Sequence, residues 1–211
     1  MRPFFPFFGG KWRSALKYPR PTHKQIIEPF AGSAGYATRY HQRQVTLIEK
    51  DPRIARLWRF LIKVGSAEIK SIPVKVDCVD ELSVCEEARD LVGFWLNRAT
   101  TRPARSKSAW ARNAPSGHGS YWGTKARDRI ALQVELIRHW KLIEGDFSSA
   151  PDYQATWFID PPYQEAGTRY VFGSKNLDFE NLAQWCKARR GQAIVCEGAS
   201  ASWLPFKPHY Q

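Results

Sequence analysis

The residues best suited to chemistry in this 211-residue chain are acids that follow apolar runs, and the clearest of them is Asp160 in TWFIDPPY, residues 156–163. The apolar stretch reads as a buried strand, which places Asp160 at the strand's carboxyl end. Pro161 and Pro162 supply no backbone N–H and have a fixed φ, and Pro161 pushes Asp160 out of the α region. A stiff tetrapeptide that presents a carboxylate, bare carbonyls and the Tyr163 ring can hold a flat polar group. The same residues also suit a strand that simply ends in a proline turn. Upstream, EPFAGSAGYA (residues 28–37) offers Gly32 and Gly35 for a tight turn and close backbone approach to a ligand. Glu49 stands two residues before a helix cap, where an acceptor-only carboxylate can receive ribose hydroxyls. Asp146 ends another apolar run, WKLIEGDF. A lone glycine turn or strand-end acid is usually structural; together at this spacing they point to a nucleoside ligand.

These residues need elements to hold them. QIIEPF reads as a short buried strand that enters the glycine turn, with a helix following through about Tyr40. VTLIE (45–49) is a second strand, and Asp51 caps a helix that has Pro52 at its first position and buries Ile54, Leu57, Trp58, Leu61 and Ile62. Ser83 and Glu86 form a potential capping box for a helix ending near Leu96. A helix over about 126–139 buries Ile130, Val134 and Ile137. A strand then ends near Asp146, a helix starts near Asp178 with Leu182, Trp185 and Cys186 inward, and QAIVC (192–196) makes a last strand. The βαβα order predicts an α/β, Rossmann-like fold with a mostly parallel sheet, whose ligands lie outside the strands' carboxyl ends. Glu28, Glu49, Asp146 and Asp160 all fall on that edge.

The formal charge is +12, which favours a polyanionic partner, nucleic acid before an anionic membrane surface. From Leu91 to Arg127 there is no acid, while Arg98, Arg102, Arg105, Lys107, Arg112, Lys125 and Arg127 occur among Gly, Ser, Pro and Asn. Residues 98–125 therefore read as a basic insertion with loop composition in an otherwise single domain, 1–211. Trp110, Tyr121 and Trp122 within it suit either a small core or nucleic-acid contact. No apolar run reaches the roughly 18 residues of a membrane-spanning helix, and the N-terminus lacks the pattern of a signal peptide. The four cysteines form no CxxC pair and the five histidines show no ligand spacing, which argues against a disulfide framework or a metal site and fits a reducing cytoplasm.

Taken together, these motifs resemble the DNA N6-adenine methyltransferases of the Dam-like (D12, alpha-group) class, of phage or restriction–modification type, in the family's order over nearly the whole chain. FFGGKW, with Phe8, Gly9, Gly10, Lys11 and Trp12, looks like the segment that embraces the methionine end of S-adenosylmethionine. EPFAGSAG, with Glu28, Pro29, Phe30, Ala31, Gly32, Ser33 and Gly35, is similar to the cofactor-binding glycine motif. By the resemblance Glu49, with Lys50 beside it, takes the ribose, and Asp146 and Phe147 the cofactor's adenine. Asp160, Pro161, Pro162 and Tyr163 match the catalytic DPPY motif, with Asp160 also bordering the cofactor. The family normally closes its sheet with further strands after the one matching QAIVC, so a shortened C-terminal end is expected.

The resemblance implies a class I methyltransferase fold and methyl transfer to an adenine flipped out of double-stranded DNA. Asp160 and the Pro161 carbonyl would accept the N6 hydrogens and Tyr163 would stack on the base. Arg98, Arg102, Arg105, Lys107, Arg112, Tyr121, Trp122 and Lys125 would meet the DNA, mostly at phosphates. The chain is read as a monomer. An RNA adenine methyltransferase and a catalytically idle nucleic-acid-binding module of the same fold are the alternatives. A protein-glutamine methyltransferase is expected to carry Asn at position 160.

Overall fold

The computed structural model describes residues 1–97, 100–113 and 121–207. Five strands form one all-parallel sheet: β1 (Gln25–Glu28), β2 (Gln44–Glu49), β3 (Lys141–Glu144), β4 (Ala155–Ile159) and β5 (Gly191–Val195), in the order β3-β2-β1-β4-β5. From β1 the chain winds outward through β2 and β3, then returns to add β4 on β1's other side. The order therefore reverses between β1 and β4, which is where ligands bind in such sheets. The register pairs Ile27 with Trp157 across that reversal and Glu49 with Glu144 on the far side. It brings the ends of β1, β2, β3 and β4 to one edge.

Alternating side chains build a core on each face of the sheet. Ile26, Val45, Leu47 and Phe158 pack with Ile54, Leu57, Trp58 and Leu61 of α2 (Pro52–Lys63). Ile27, Ile48, Trp157 and Ile159 face the other way, toward Leu182 and Cys186 of α7 (Phe179–Lys187). Every residue of β4 is buried, as a central parallel strand requires. The first face also carries α4 (Glu86–Leu96) and α6 (Thr124–Val134), a 3-10 turn continuing the latter to Ile137.

Several local expectations hold. Asp51 accepts from Arg53 N at 2.9 Å with Pro52 opening α2, and Asp178 accepts from Asn181 N at 3.0 Å to cap α7. The capping box at Ser83 and Glu86 does not form. α4 starts at Glu86 itself behind Cys85, so Glu86 is not three residues into the helix, and its carboxylate instead takes the Arg56 guanidinium. α1 (Gly35–Arg39) is a single short turn, and α3 (Ser66–Ser71) was not expected. After β5 the described residues add no strand; Trp203 packs on Phe179 at 5.5 Å and on Phe206 at 5.1 Å.

The insertion is more tied down than its composition predicts. Cys78 and Ser106 form an antiparallel bridge, Asn97 bonds both Ser106 O and Ser108 N, and Ser108 caps the four-residue α5 (Ala109–Arg112). Arg105 pairs with Asp80 and Lys107 with Asp77. Trp122 is a correction to the nucleic-acid set: it is 6% exposed, belongs to the main core and donates its indole N–H to Pro73 O at 2.8 Å. An indole with its one donor satisfied in the core has no face left for a base. Tyr121 is half-buried, while Arg112 and Lys125 are exposed. Arg98 lies outside the described residues.

Candidate active site

The N-terminal segment reaches the sheet edge because two phenylalanines anchor it. Phe4 and Phe5 are fully buried against Trp58, at 5.7 and 5.6 Å between ring centroids, and Phe5 also meets Phe94 at 5.0 Å. Arg2 and Gln133 of α6 exchange two hydrogen bonds through the Arg2 backbone. The following residues then cross the start of α1 so closely that a Cβ on Gly35 would lie 2.6 Å from Trp12 N and 2.9 Å from Lys11 N. Only glycine permits this approach.

A cavity of about 280 Å³ opens along the carboxyl ends of β1 to β4. Phe8, Gly9, Gly10 and Lys11 line it from the N-terminal segment, Glu28 from the end of β1, Pro29, Phe30, Ala31, Gly32 and Ser33 from the turn that follows, and Gly35 from the start of α1. Glu49 ends β2 with Lys50 after it, Asp146 and Phe147 follow β3, and Asp160 and Pro162 follow β4. Three expected residues do not line it. Trp12 is held away from the cavity by its indole bond to Met1 O, 2.7 Å, under the Arg39 guanidinium, 3.7 Å above its ring. Pro161 is buried, and Tyr163 sits under Lys11, whose Nζ lies 4.8 Å from the ring centroid.

The glycine turn is clasped from two sides. Gly32 takes φ 45° and Ala34 φ 49°, so the turn carries a left-handed non-glycine residue at the helix start. Trp58 donates to Gly32 O at 2.7 Å, and Gly32 N donates to one Glu49 oxygen at 2.9 Å. The other Glu49 oxygen accepts from Asp51 N, also at 2.9 Å. Burial pushes the Glu49 carboxyl up to about 7 against the pull of these backbone bonds. Each oxygen keeps a lone pair for a further donor. Asp146 caps the short turn after β3 by accepting from Ser148 N and Oγ, which holds its carboxyl below the ordinary range. Phe147 stacks on Phe30 at 5.8 Å between centroids.

Glu28 is 2% exposed and accepts the Ala37 N–H at the start of α1. Burial pushes its carboxyl from 4.5 up to about 8. Between those values the folded protein holds a proton that the unfolded chain releases, so this group's contribution to stability falls as pH rises and levels off above about 8. The Tm advantage of wild type over Glu28→Gln is therefore expected to be largest near about pH 5 and to shrink toward about pH 8.5. Calorimetric scans that show a pH-independent difference would contradict this.

At Asp160, Lys11 Nζ lies 2.9 Å from both carboxylate oxygens, but only Oδ2 has hydrogen-bond geometry. Among the described residues Asp160 Oδ1 is buried and makes no hydrogen bond. Lys11 also donates to Gly9 O at 2.8 Å. Burial pushes the Asp160 carboxyl up, with Lys11 pulling it back. Burial likewise opposes the charge on Lys11, but Asp160 and Tyr163 outweigh it and hold the lysine above its ordinary range. The ammonium offsets the charge on Oδ1, while the oxygen's lone pairs stay open to a further donor.

The sequence reading missed one wall. Tyr170, Val171, Phe172, Gly173, Asn176 and Leu177, from the loop after Asp160, close the cavity's outer side. Tyr170 donates to Phe8 O at 3.2 Å and Lys50 lies 5.6 Å from the Phe172 ring centroid. A run of Tyr, Val and Phe inside a polar loop, with no helical or strand period, was the available signal. No protein-family model matches the chain, and no match is found among curated protein sequences.

Proposed function

We propose that the protein is an S-adenosylmethionine-dependent DNA adenine-N6 methyltransferase. The observation that carries this reading is Asp160 Oδ1, a buried oxygen with no hydrogen bond among the described residues, on a side chain that lines the same cavity as the glycine turn and Glu49. The residues fit the cofactor. Gly32 and Gly35 leave a backbone cradle, Glu49 offers lone pairs to a ribose, and Asp146 with the Phe147 ring suits an adenine. When bound, the cofactor supplies an electrophilic sulfonium methyl.

The chain's own part is positioning and electrostatics. An adenine amino group is a weak nucleophile because its lone pair is delocalised into the ring. By accepting one N6 hydrogen, Asp160 draws the nitrogen toward tetrahedral geometry and frees the lone pair. Pro161 and Pro162 keep the carboxylate on a stiff turn, and Lys11 fixes its orientation through Oδ2. The loop carrying Tyr170 and Phe172 limits water access from outside. The excess positive charge offsets the cost of extracting the base from a duplex.

The direct test incubates the protein with S-adenosylmethionine and unmethylated duplex DNA, or with RNA, and digests the product for mass spectrometry. N6-methyladenine in DNA is expected. Transfer to RNA alone, or to neither, overturns the reading. Cofactor binding has its own check. Glu49→Gln is expected to weaken binding at least about tenfold, roughly 1.4 kcal/mol. Wild-type affinity should rise with pH through about 7, where Glu49 ionises, and the variant's should not. Calorimetric titration showing equal affinities and equal pH dependence would remove Glu49 from the site.

A further inference from the structure

Beside the main cavity is a second concave site of about 330 Å³, lined by Phe8, Thr100, Thr101, Arg102, Ala104 and Arg169. It shares Phe8 and Thr101 with the main cavity, so the two are contiguous. Three segments remote in sequence are tied together here. Phe8 N donates to Thr100 O at 3.1 Å, Thr101 Oγ1 donates to Arg169 O at 3.2 Å, and Tyr170 OH donates to Phe8 O at 3.2 Å. The Arg169 guanidinium lies 5.4 Å from the Phe8 ring centroid.

Resting on the methyltransferase reading, we propose that Arg102 and Arg169 form a binding site for a backbone phosphate of the nucleic-acid substrate, at the rim of the cavity that takes the base. Among the described residues neither arginine has a carboxylate partner, whereas Arg105 and Lys107 of the same region are paired with Asp80 and Asp77. Their charge is thus available to a ligand. Thr100, which also lines the site, has a buried hydroxyl with no hydrogen-bond partner among the described residues. Two planar guanidinium forks over an aromatic floor match the several acceptor oxygens of a tetrahedral phosphate. A nucleotide whose base enters the main cavity carries its phosphates at that cavity's rim. Arg169 lies outside the basic insertion, so composition gave no reason to single it out.

The test measures binding of a fluorescent DNA duplex across a salt series, for wild type, Arg102→Gln, Arg169→Gln and the double variant. Lys24→Gln, at the amino end of β1 on the opposite edge of the sheet, is the control. The double variant is expected to bind about tenfold more weakly at low salt and to lower the slope of log K against log salt by about 1, one phosphate's worth. The control should keep the wild-type slope. Unchanged affinity and slope in the double variant would falsify the phosphate site whether or not wild type methylates DNA. Loss of binding together with no methyl transfer by wild type would keep the site and overturn the methyltransferase reading. Inorganic phosphate, titrated without DNA, separates the other source. Saturation below about 1 mM that the double variant loses, with duplex binding unchanged, would assign the site to free phosphate and overturn the backbone proposal.

Discussion

Replacing Asp160 with alanine is expected to lower methyl transfer at least about a thousandfold, roughly 4 kcal/mol at about 1.4 kcal/mol per decade, while cofactor affinity stays within severalfold of wild type. The asymmetry follows from where the side chain's free atom lies. Oδ2 takes the Lys11 hydrogen bond, and Oδ1, beside the same ammonium, accepts none among the described residues. The cofactor's proposed contacts lie on Glu49, Asp146 and the glycine turn. Alanine also strands Lys11, whose side chain is only 14% exposed and would keep Gly9 O as its acceptor. Part of its effect could therefore be structural. Asp160→Asn resolves this, because it keeps shape and one acceptor oxygen. If that oxygen faces Lys11, none remains for the target amino group, so the asparagine variant is expected to fold normally and still fail in transfer. Single-turnover rates, paired with calorimetric cofactor affinities and thermal scans, separate these effects. Activity within about tenfold of wild type in a folded Asp160→Asn protein would remove Asp160 from the reaction.

The parts of this arrangement that were legible in the sequence are those governed by local chemistry. Apolar runs in QIIE, VTLIE and TWFI predicted buried strands, and Asp51–Pro52 and Asp178 predicted helix starts that the structure keeps. A parallel sheet then brings Glu28, Glu49, Asp146 and Asp160 to one edge with no further information. What could not be read depends on contacts far apart in the chain. Nothing in the local sequence set Phe4 and Phe5 apart, and their burial against Trp58 and Phe94 is what delivers Lys11 to Asp160, 149 positions away. Arg105 and Lys107 looked like free charges because Asp77 and Asp80 stand well before them in sequence. Trp122 satisfied the pattern of an interleaved aromatic, yet a carbonyl from Pro73 and the core around Trp95 claim it. In each case local composition named the residue type correctly and tertiary pairing decided its task.

Lys11→Met is expected to shift the pH dependence of methyl transfer to the alkaline side, with the loss largest at the acid end of the profile. In the wild-type protein three influences act on the Asp160 carboxyl: burial pushes its pKa up most strongly, Lys11 pulls it down by charge and hydrogen bond, and Glu197 adds a smaller upward push. Removing Lys11 leaves only the upward influences. Asp160 then keeps its proton to higher pH, and a protonated carboxyl directs a donor at an amino group that itself needs acceptors. Below the raised pKa the ionised fraction falls tenfold per pH unit, so transfer should fall most at the acid end and recover toward wild type as pH rises. A purely structural loss, such as loosening of the segment that crosses Gly35 or of the cation over Tyr163, would instead lower the rate by the same factor at every pH. Lys11→Arg restores the charge with a different fork geometry, and should return the pH profile toward wild type even where the rate stays reduced. Single-turnover rates over about pH 6 to 10 for the three proteins decide the matter. Parallel profiles for wild type and Lys11→Met would show that Lys11 does not act through the ionisation of Asp160.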